Sequence, residues 1–428
     1  MSAFLAVAIF VVAYVLIATE KVHRTAVALA GAGLMLATGL LSGADAFYST
    51  ESGVDWNVIF LLFGMMVIVG VLKQTGLFEY LAIWSAKRAR GRPFRIMVAL
   101  TVLTAVASAL LDNVTTVLLI VPVTVLICDR IGAPPVPFLL AEVFASNIGG
   151  TATLVGDPPN IIIASQGGLS YADFLVHLAP FIVVLMGVFV GMCRVLFRGA
   201  LVTDPDRVAE LMALDEREAI RDRPLLVRAL AVLAAVTVAF VLHGVLHYEP
   251  SVIALLGAGV LVALSRRDPG PFLREVEWGT LAFFMGLFVM VGGLVEAGVI
   301  DAIAQGLSSV TGGSLTTGAV LVLWASGVLS AVVDNIPYVA TMAPVTDSLV
   351  GDLPGGQVLW WALALGADLG GNATVIGASA NVVVVGLAQA EGHRITFWQF
   401  TRYGLVVATA SMLLATPYLL VRYIVLGS

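Results

Sequence analysis

The sequence predicts an all-α, polytopic membrane protein built from two inverted repeats, with about ten transmembrane spans, two of them broken, and two re-entrant helical hairpins. Three observations predict it. Of the 428 residues 60% are hydrophobic and 12% charged, with a mean hydropathy of +1.02, whereas a soluble domain carries about a quarter charged residues. Apolar runs near the roughly 20-residue length that crosses a bilayer recur along the chain. The chain also repeats itself. Val54 to Ala82 (VDWNVIFLLFGMMVIVGVLKQTGLFEYLA) returns as Val276 to Ala304 (VEWGTLAFFMGLFVMVGGLVEAGVIDAIA), Leu111 to Pro122 (LDNVTTVLLIVP) as Val333 to Pro344 (VDNIPYVATMAP), and Asn147 to Asn160 (NIGGTATLVGDPPN) as Asp368 to Asn381 (DLGGNATVIGASAN). The offset is 222 residues for the first two pairs and 221 for the third.

Taken in order, residues 1–23 read as an N-terminal transmembrane helix, retained because no basic stretch precedes it and no small-residue cleavage site follows. Residues 24–197 form repeat 1, 198–226 a cytoplasmic linker and 227–428 repeat 2. Spans are expected near 3–19, 24–41, 56–73, 176–196, 227–247, 250–265, 279–297 and 403–424. The stretches 137–166 and 357–390 are too long for one helix and are interrupted by Gly, Asn and Pro, so they read as broken spans. The stretches 95–128 and 316–350 each carry an Asp-Asn pair at their middle. They read as an inward and an outward hairpin turning at that pair, where a short polar side chain caps the second arm.

Basic residues orient the chain. With Lys87, Arg88, Arg90, Arg92 and Arg95 in the cytoplasm, Lys21, Arg24, Lys73, Arg130, Arg194, Arg198, the linker arginines including Arg207, and Arg266, Arg267, Arg274, Arg394 and Arg402 all fall on the same side; Arg422 does not. Both termini then lie outside, in a multi-pass protein of the plasma membrane. The loop equivalent to 87–95 in the second half, Gln305 to Ser314, has no basic residue, which is why the repeats read as inverted. The linker, with Asp204, Asp206, Glu210, Asp215, Glu216, Glu218 and Asp222 among its arginines, reads as a solvated helix.

Several classes are excluded. Cys128 and Cys193 have no partner at metal-ligand spacing and read as buried structural thiols, so no metal site is expected beyond sodium. No Gly-rich phosphate loop is present, and no nucleophile and base stand at reactive spacing, so neither an ATPase nor another enzyme is expected, and no cofactor. Nothing points to nucleic acid. Two repeats of opposite orientation in a membrane protein point to transport, driven by an ion gradient or by association with a separate ATPase subunit.

The polar residues at membrane depth are the candidate site, because ionisable groups there are costly and mark pathways. They are Asp112, Asn113 and Thr115 at the first hairpin and Asp334 and Asn335 at the second. Asn147, Gly149, Gly150, Thr151, Asp157 and Asn160 stand at the first break, and Asp368, Gly370, Gly371, Asn372, Thr374 and Asn381 at the second. The glycine pairs free backbone carbonyls for a cation or helix N-termini for an anion; close helix packing is their alternative role. Sodium at Asn113 and Asn335, or a proton on Asp112, Asp334 or Asp368, is the expected coupling ion. Asp157 before two prolines reads equally as a helix cap, and Glu142 as an intramembrane group of open role. No Lys or Arg is expected at this depth.

Gly149 to Asn160 (GGTATLVGDPPN), the paired Asp-Asn tips and Gly370 to Asn381 resemble the ion transporter superfamily. The likeness is greatest to the branch of the arsenite permeases and the melanosomal pink-eyed-dilution P protein, and more distant to the divalent-anion/sodium symporters. The resemblance covers nearly the whole chain after about residue 20. It implies a homodimer in which each protomer has a scaffold and a transport domain working by an elevator movement. Where the symporters carry Ser-Asn-Thr, this chain has Asp112-Asn113-Val114 and Asp334-Asn335-Ile336, which speaks against dicarboxylates. The expectation is therefore an ion-coupled secondary transporter of a small inorganic ion or oxyanion, an arsenite- or antimonite-type efflux permease foremost. A sodium/proton antiporter, a chloride or other anion transporter or channel, and a dicarboxylate/sodium symporter stand as alternatives. The scaffold helices, with Gly31, Gly33, Gly257 and Gly259, are expected to carry the dimer interface.

Overall fold

A computed structural model describes residues 2–19, 21–200, 208 and 211–427. The linker residues Asp204, Asp206, Arg207 and Glu210 lie outside the described residues. The described chain is helical, without strands. Its longer helices are α1 (Ser2–Ala18), α2 (Arg24–Ala37), α3 (Trp56–Gln74), α4 (Leu77–Arg88), α5 (Pro93–Leu110), α6 (Asn113–Ile131), α7 (Pro135–Gly150), α8 (Pro158–Gly167) and α9 (Ala179–Leu196) in the first half. In the second half they are α10 (Arg223–Val241), α11 (Pro250–Ser265), α12 (Trp278–Glu296), α13 (Val299–Thr311), α14 (Leu315–Ser330), α15 (Asn335–Asp352), α16 (Val358–Gly370), α17 (Ser379–Ala390) and α18 (Phe397–Leu419). Each helix of the first half thus has a counterpart nine places on, and the pairing includes α1 with α10.

Local chemistry sets these bounds. Prolines at the first turn open α5, α7, α8 and α11, where the missing N–H is not needed. Asp55 caps α3 by accepting from the Val58 N–H at 3.2 Å, and Asp222 caps α10 through the Leu225 N–H at 2.9 Å. Gly76 (φ 80°) and Gly298 (φ 71°) hold the left-handed turns that lead from α3 to α4 and from α12 to α13. The same special conformation therefore recurs at an offset of 222.

Packing repeats too. α3 lies along α11 and α2 along α12; α7 packs on α5 and α16 on α14; α17 packs on α6 and α8 on α15. Each contact becomes its partner when the halves are exchanged, as a pseudo-two-fold relation requires. The paired helices α2, α3, α11 and α12 also meet the hairpins and breaks, α12 lying on α15 and α3 on α8. Among the described residues seven helices are long and apolar enough to cross a membrane: α3, α5, α6, α9, α10, α12 and the last, taken as Phe397–Val425; α1, α2, α11, α14 and α17 are shorter apolar helices.

Two expectations change here. The described part of the linker has helical residues at 208 and 211–213 and the 3-10 turn Glu216–Ala219, and that turn is docked on α4 rather than free in solvent. Lys87 Nζ donates to Glu216 Oε2 and to the Leu214 carbonyl, both at 2.6 Å. That ammonium holds the Glu216 carboxyl below the usual carboxylate range. Of the four glycines expected at a dimer interface, two serve packing within the chain: a Cβ on Gly31 would strike Met290 and one on Gly257 would strike Val236. Gly33 and Gly259 face open space beside exposed Leu29, Leu34, Leu256 and Val260.

Candidate transport site

The hairpin tips are capped as their sequence suggests. One oxygen of Asp112 accepts from the Thr115 N–H at 2.7 Å, and one of Asp334 from the Ile336 N–H at 3.0 Å. Capping uses only half of each carboxylate. The other oxygen of Asp334 accepts from the Ser379 hydroxyl at 2.6 Å and lies 3.5 Å from Arg24 Nη1, which itself donates to Ser379 Oγ at 2.5 Å. The expectation that no Lys or Arg reaches the site is thereby corrected: Arg24 begins α2, and its long side chain carries the charge inward from there. Asp112 has no such cation and shares a small cavity with Arg24, Glu277, Thr280 and Ser379. A larger cavity of about 450 Å³ opens beside it, lined by His23, Arg24, Glu277, Asp334 and Ser379 among apolar residues.

Both breaks are strapped to the hairpins by matching bonds. Ser108 donates to the Ser146 carbonyl at 2.7 Å and Ser330 to the Ala367 carbonyl at 2.6 Å. Thr153 donates to the Ala109 carbonyl at 2.5 Å and Thr374 to the Ala331 carbonyl at 2.6 Å. Asn160 gives its amide to the Gly150 and Thr153 carbonyls at 3.4 and 3.1 Å, and Asn381 to the Gly371 and Thr374 carbonyls at 2.8 Å each. The carbonyls of Gly150 and Gly371 and the hydroxyl of Thr374 are thus engaged in holding the breaks together. Gly149 and Gly370 serve close packing, for a Cβ on either would enter the backbone of Ala105 on α5 or Gly327 on α14.

The centre joins the halves. Asp157 begins α8 yet makes no side-chain cap. It accepts from Asn113 Nδ2 at 2.8 Å and from Asn335 Nδ2 at 3.4 Å, so both hairpin tips hold one carboxylate. Asn113 Nδ2 also reaches Asn147 Oδ1 at 3.3 Å, and Asn147 Nδ2 donates to Asn372 Oδ1 at 3.0 Å and Asn381 Oδ1 at 2.9 Å. Thr151 donates to the Asn147 carbonyl at 2.8 Å. Asn113, Asn147, Thr151, Asp157, Asn160, Asn335, Asp368, Asn372 and Asn381 are all buried. One expected member, Thr115, stands apart, as does Glu142, whose role the sequence leaves open. Thr115 lies on a separate small cavity with Lys73, Glu275 and Glu277, and Glu142 is turned to Thr124, whose hydroxyl it accepts at 2.7 Å.

Sequence reasoning missed Arg24, Ser379 and Glu277. Glu277 was marked by its repetition of Asp55 before a tryptophan, and Ser379 by its place in the second break. Arg24 carried no signal beyond opening a short apolar helix.

Buried carboxylates and amides that two related halves of a helical membrane protein bring together define a multi-pass membrane transporter. More narrowly, the model of the CitMHS citrate transporter family matches residues 14–366, and the chain belongs to that family, within the ion transporter superfamily. It is 56% identical over 424 residues to an uncharacterised transporter of Mycobacterium tuberculosis, covering 98% of this chain and 99% of that one. A 46 kDa membrane protein of Mycobacterium leprae is 52% identical over 426 residues, with 99% of each chain covered. The P protein of Mus musculus is 33% identical over 504 residues, which take in 99% of this chain and 60% of that protein. Among solved structures, the YdaH transporter of Alcanivorax borkumensis has the same fold, with a TM-score of 0.62 at 16% identity over 100% of this chain and 98% of that one.

Proposed function

We propose that this chain is an ion-coupled secondary transporter whose halves are inverted repeats, each running from its first helix, α1 or α10, to its last. The observation that carries the reading is Asp157 held jointly by Asn113 and Asn335, since a centre owned by both tips changes whenever either moves. The reciprocal packing supports a two-fold relation of the halves, and the basic loop at 87–95 against the basic-free loop at 305–314 supports inversion. An elevator movement of the strapped hairpins and breaks against α2, α3, α11 and α12 is part of this reading. A second copy would sit on the outward face of α2 and α11, where Gly33 and Gly259 stay open.

The solute we infer is a small, oxygen-rich anion or its neutral acid. Arg24 and the Ser379 hydroxyl beside the cavity can receive its oxygens, and an accompanying cation or proton offsets Asp112, Asp157, Asp334, Asp368 and Glu277. Citrate and related carboxylates fit this through the family's description, and arsenite and antimonite through the hydroxyl and amide groups. The buried oxygens of Asp368 favour a sodium/proton antiporter as the second reading. Proteoliposomes should be challenged with citrate, succinate, arsenite, antimonite and chloride under imposed proton and sodium gradients. Saturable flux of an oxyanion or carboxylate that follows one gradient is the expected result. Non-saturable flux indifferent to both gradients would mean a channel and would overturn the proposal.

A further inference from the structure

We propose that Asp334 is a built-in competitor of the anionic solute: its carboxylate occupies a seat formed by Arg24 and the Ser379 hydroxyl, and an entering carboxylate or oxyanion takes its place there. The proposal rests on the reading of the chain as a transporter of such anions and names how that site is regulated. Its starting point is the bonding of the seat. Arg24 Nη1 donates to Ser379 Oγ at 2.5 Å, the Ser379 hydroxyl donates to Asp334 Oδ2 at 2.6 Å, and Nη1 lies 3.5 Å from that same oxygen. A guanidinium and a hydroxyl thus converge on one carboxylate oxygen, as they would on an oxygen of a solute. All three residues line the cavity of about 450 Å³, a size that admits a small anion.

The pair is built to open. Its 3.5 Å approach is well beyond the roughly 2.7–2.9 Å of a tight charge-assisted bond. The two side chains keep 30% and 16% of their exposure, so water offsets part of the cost of parting them. Each also holds its place without the other. The remaining oxygen of Asp334 caps α15 through the Ile336 N–H at 3.0 Å, and the Arg24 guanidinium lies over the Phe283 ring of α12, 5.2 Å from its centre. Displacement therefore frees one carboxylate oxygen and leaves the hairpin capped and the cation in position.

The neighbouring carboxylates do not share this duty. Glu277 lines the same cavity, but its Oε2 accepts the Thr280 hydroxyl at 2.9 Å. Asp112, the equivalent of Asp334 at the first tip, has no such seat, because Leu246 and Pro158 stand at the positions equivalent to Arg24 and Ser379. The seat is therefore outside what the two halves share. It also ties separate elements together. Arg24 opens α2, which packs on α1 and α12, whereas Asp334 stands at the tip of α14–α15 and Ser379 opens α17. An anion that takes Arg24 from Asp334 unties that tip from α2, so occupancy of the seat is felt at the hairpin.

The test is a double-mutant cycle read by binding. The full-length protein in detergent and neutral buffer is titrated with citrate and with inorganic phosphate, and the rise in melting temperature gives an apparent Kd for each. The variants are Asp334→Asn and Asp334→Ser, both of which keep a helix cap, then Arg24→Gln, and Arg24→Gln combined with each of them. Removing the competitor should tighten binding of at least one anion by about fivefold, the upper worth of a partly exposed ion pair, whereas Arg24→Gln weakens it. On the Arg24→Gln background the Asp334 changes should alter affinity by less than about twofold, because a competitor acts only where its seat exists. Unchanged or weaker binding in both Asp334 variants would overturn the proposal, and so would failure of either variant to bind either anion. Equal tightening with and without Arg24 would overturn it as well, since that is general repulsion of anions by a carboxylate. No flux enters these titrations, so the two readings fail separately. If the pattern appears while proteoliposomes move neither anion under any gradient, transport fails and the seat stands; if coupled flux is found and affinity ignores Asp334, the seat alone fails.

Discussion

Gly149→Ala and Gly370→Ala are the perturbations for which the structure gives a definite magnitude. A Cβ on Gly149 would lie 2.6 Å from the Ala105 Cα, and one on Gly370 would lie 2.5 Å from the Gly327 Cα. Carbon atoms rest at roughly 3.5–4.0 Å, so α7 must draw back from α5, and α16 from α14, by about 1 Å. Backbone has no rotamer with which to yield, which places the cost near the upper end of the ~1–3 kcal/mol typical of overpacking. Separation also stretches the strap from Ser108 to the Ser146 carbonyl, or from Ser330 to the Ala367 carbonyl, for about 1 kcal/mol more. Alanine's helix preference returns about 1 kcal/mol, leaving a net loss of about 2–3 kcal/mol in each variant. Gly386→Ala on α17, where a Cβ meets nothing within 4 Å, keeps the helix gain alone and is the control. Thermal unfolding in one detergent should show both variants melting several degrees below wild type and the control at or above it. If Gly149→Ala and Gly370→Ala melt with the control, the glycines are not packing residues and their backbone must be sought at the solute.

Two further outcomes are expected. Inverted halves require that cysteines replacing Arg88 and Ser309, both exposed, label from opposite faces of the membrane, against a low background because Cys128 and Cys193 are buried; labelling from one face would end the inverted reading. Arg24→Gln removes the charge beside Asp334 and Ser379 and should weaken apparent affinity for anionic solutes by about 10- to 100-fold, the worth of a charge-assisted hydrogen bond, with neutral acids unaffected, as read from the concentration dependence of flux.

What the sequence disclosed follows from the range over which each feature is determined. Helix bounds, tips and breaks depend on neighbouring residues, and hydropathy with Pro, Gly and Asp-Asn places them within a few positions: the stretch 95–128 holds α5 and α6 on either side of Asp112, and 357–390 holds α16 and α17. The meeting of Asn113, Asn335 and Asp157 was legible as a set because repetition singled its members out. Which atom bonds which was not, since amide orientation depends on the three-dimensional surroundings. The Arg24–Ser379 contact joins residues 355 apart through a long flexible side chain, and a rule that counts basic residues in loops locates the backbone and not the guanidinium. For Gly149 and Gly370 the residue type admits both roles, and only the distance to the opposing helix selects packing.

The repeat supplies its own way of sorting structure from function. Positions whose bonds recur in both halves make the same tie twice: Ser108 with Ser330 and Thr153 with Thr374 hold a break to a hairpin, and Asn160 with Asn381 closes the break on itself. Positions that lost their match cannot be explained by a duty both halves share. They are Asn147 against Asp368, Asp157 against Ala378, Arg24 against Leu246 and Glu142 against Leu363. Three of these four pairs put their charged member at or beside the centre, and each adds an ionisable group where its counterpart has none. A pseudo-symmetric frame lets the site open alternately to two sides, but a coupled cycle must also bind one solute and one ion in distinct places. Charge placed in one half and withheld from the other, as with Arg24 and Asp368, is compatible with that need and leaves the frame undisturbed.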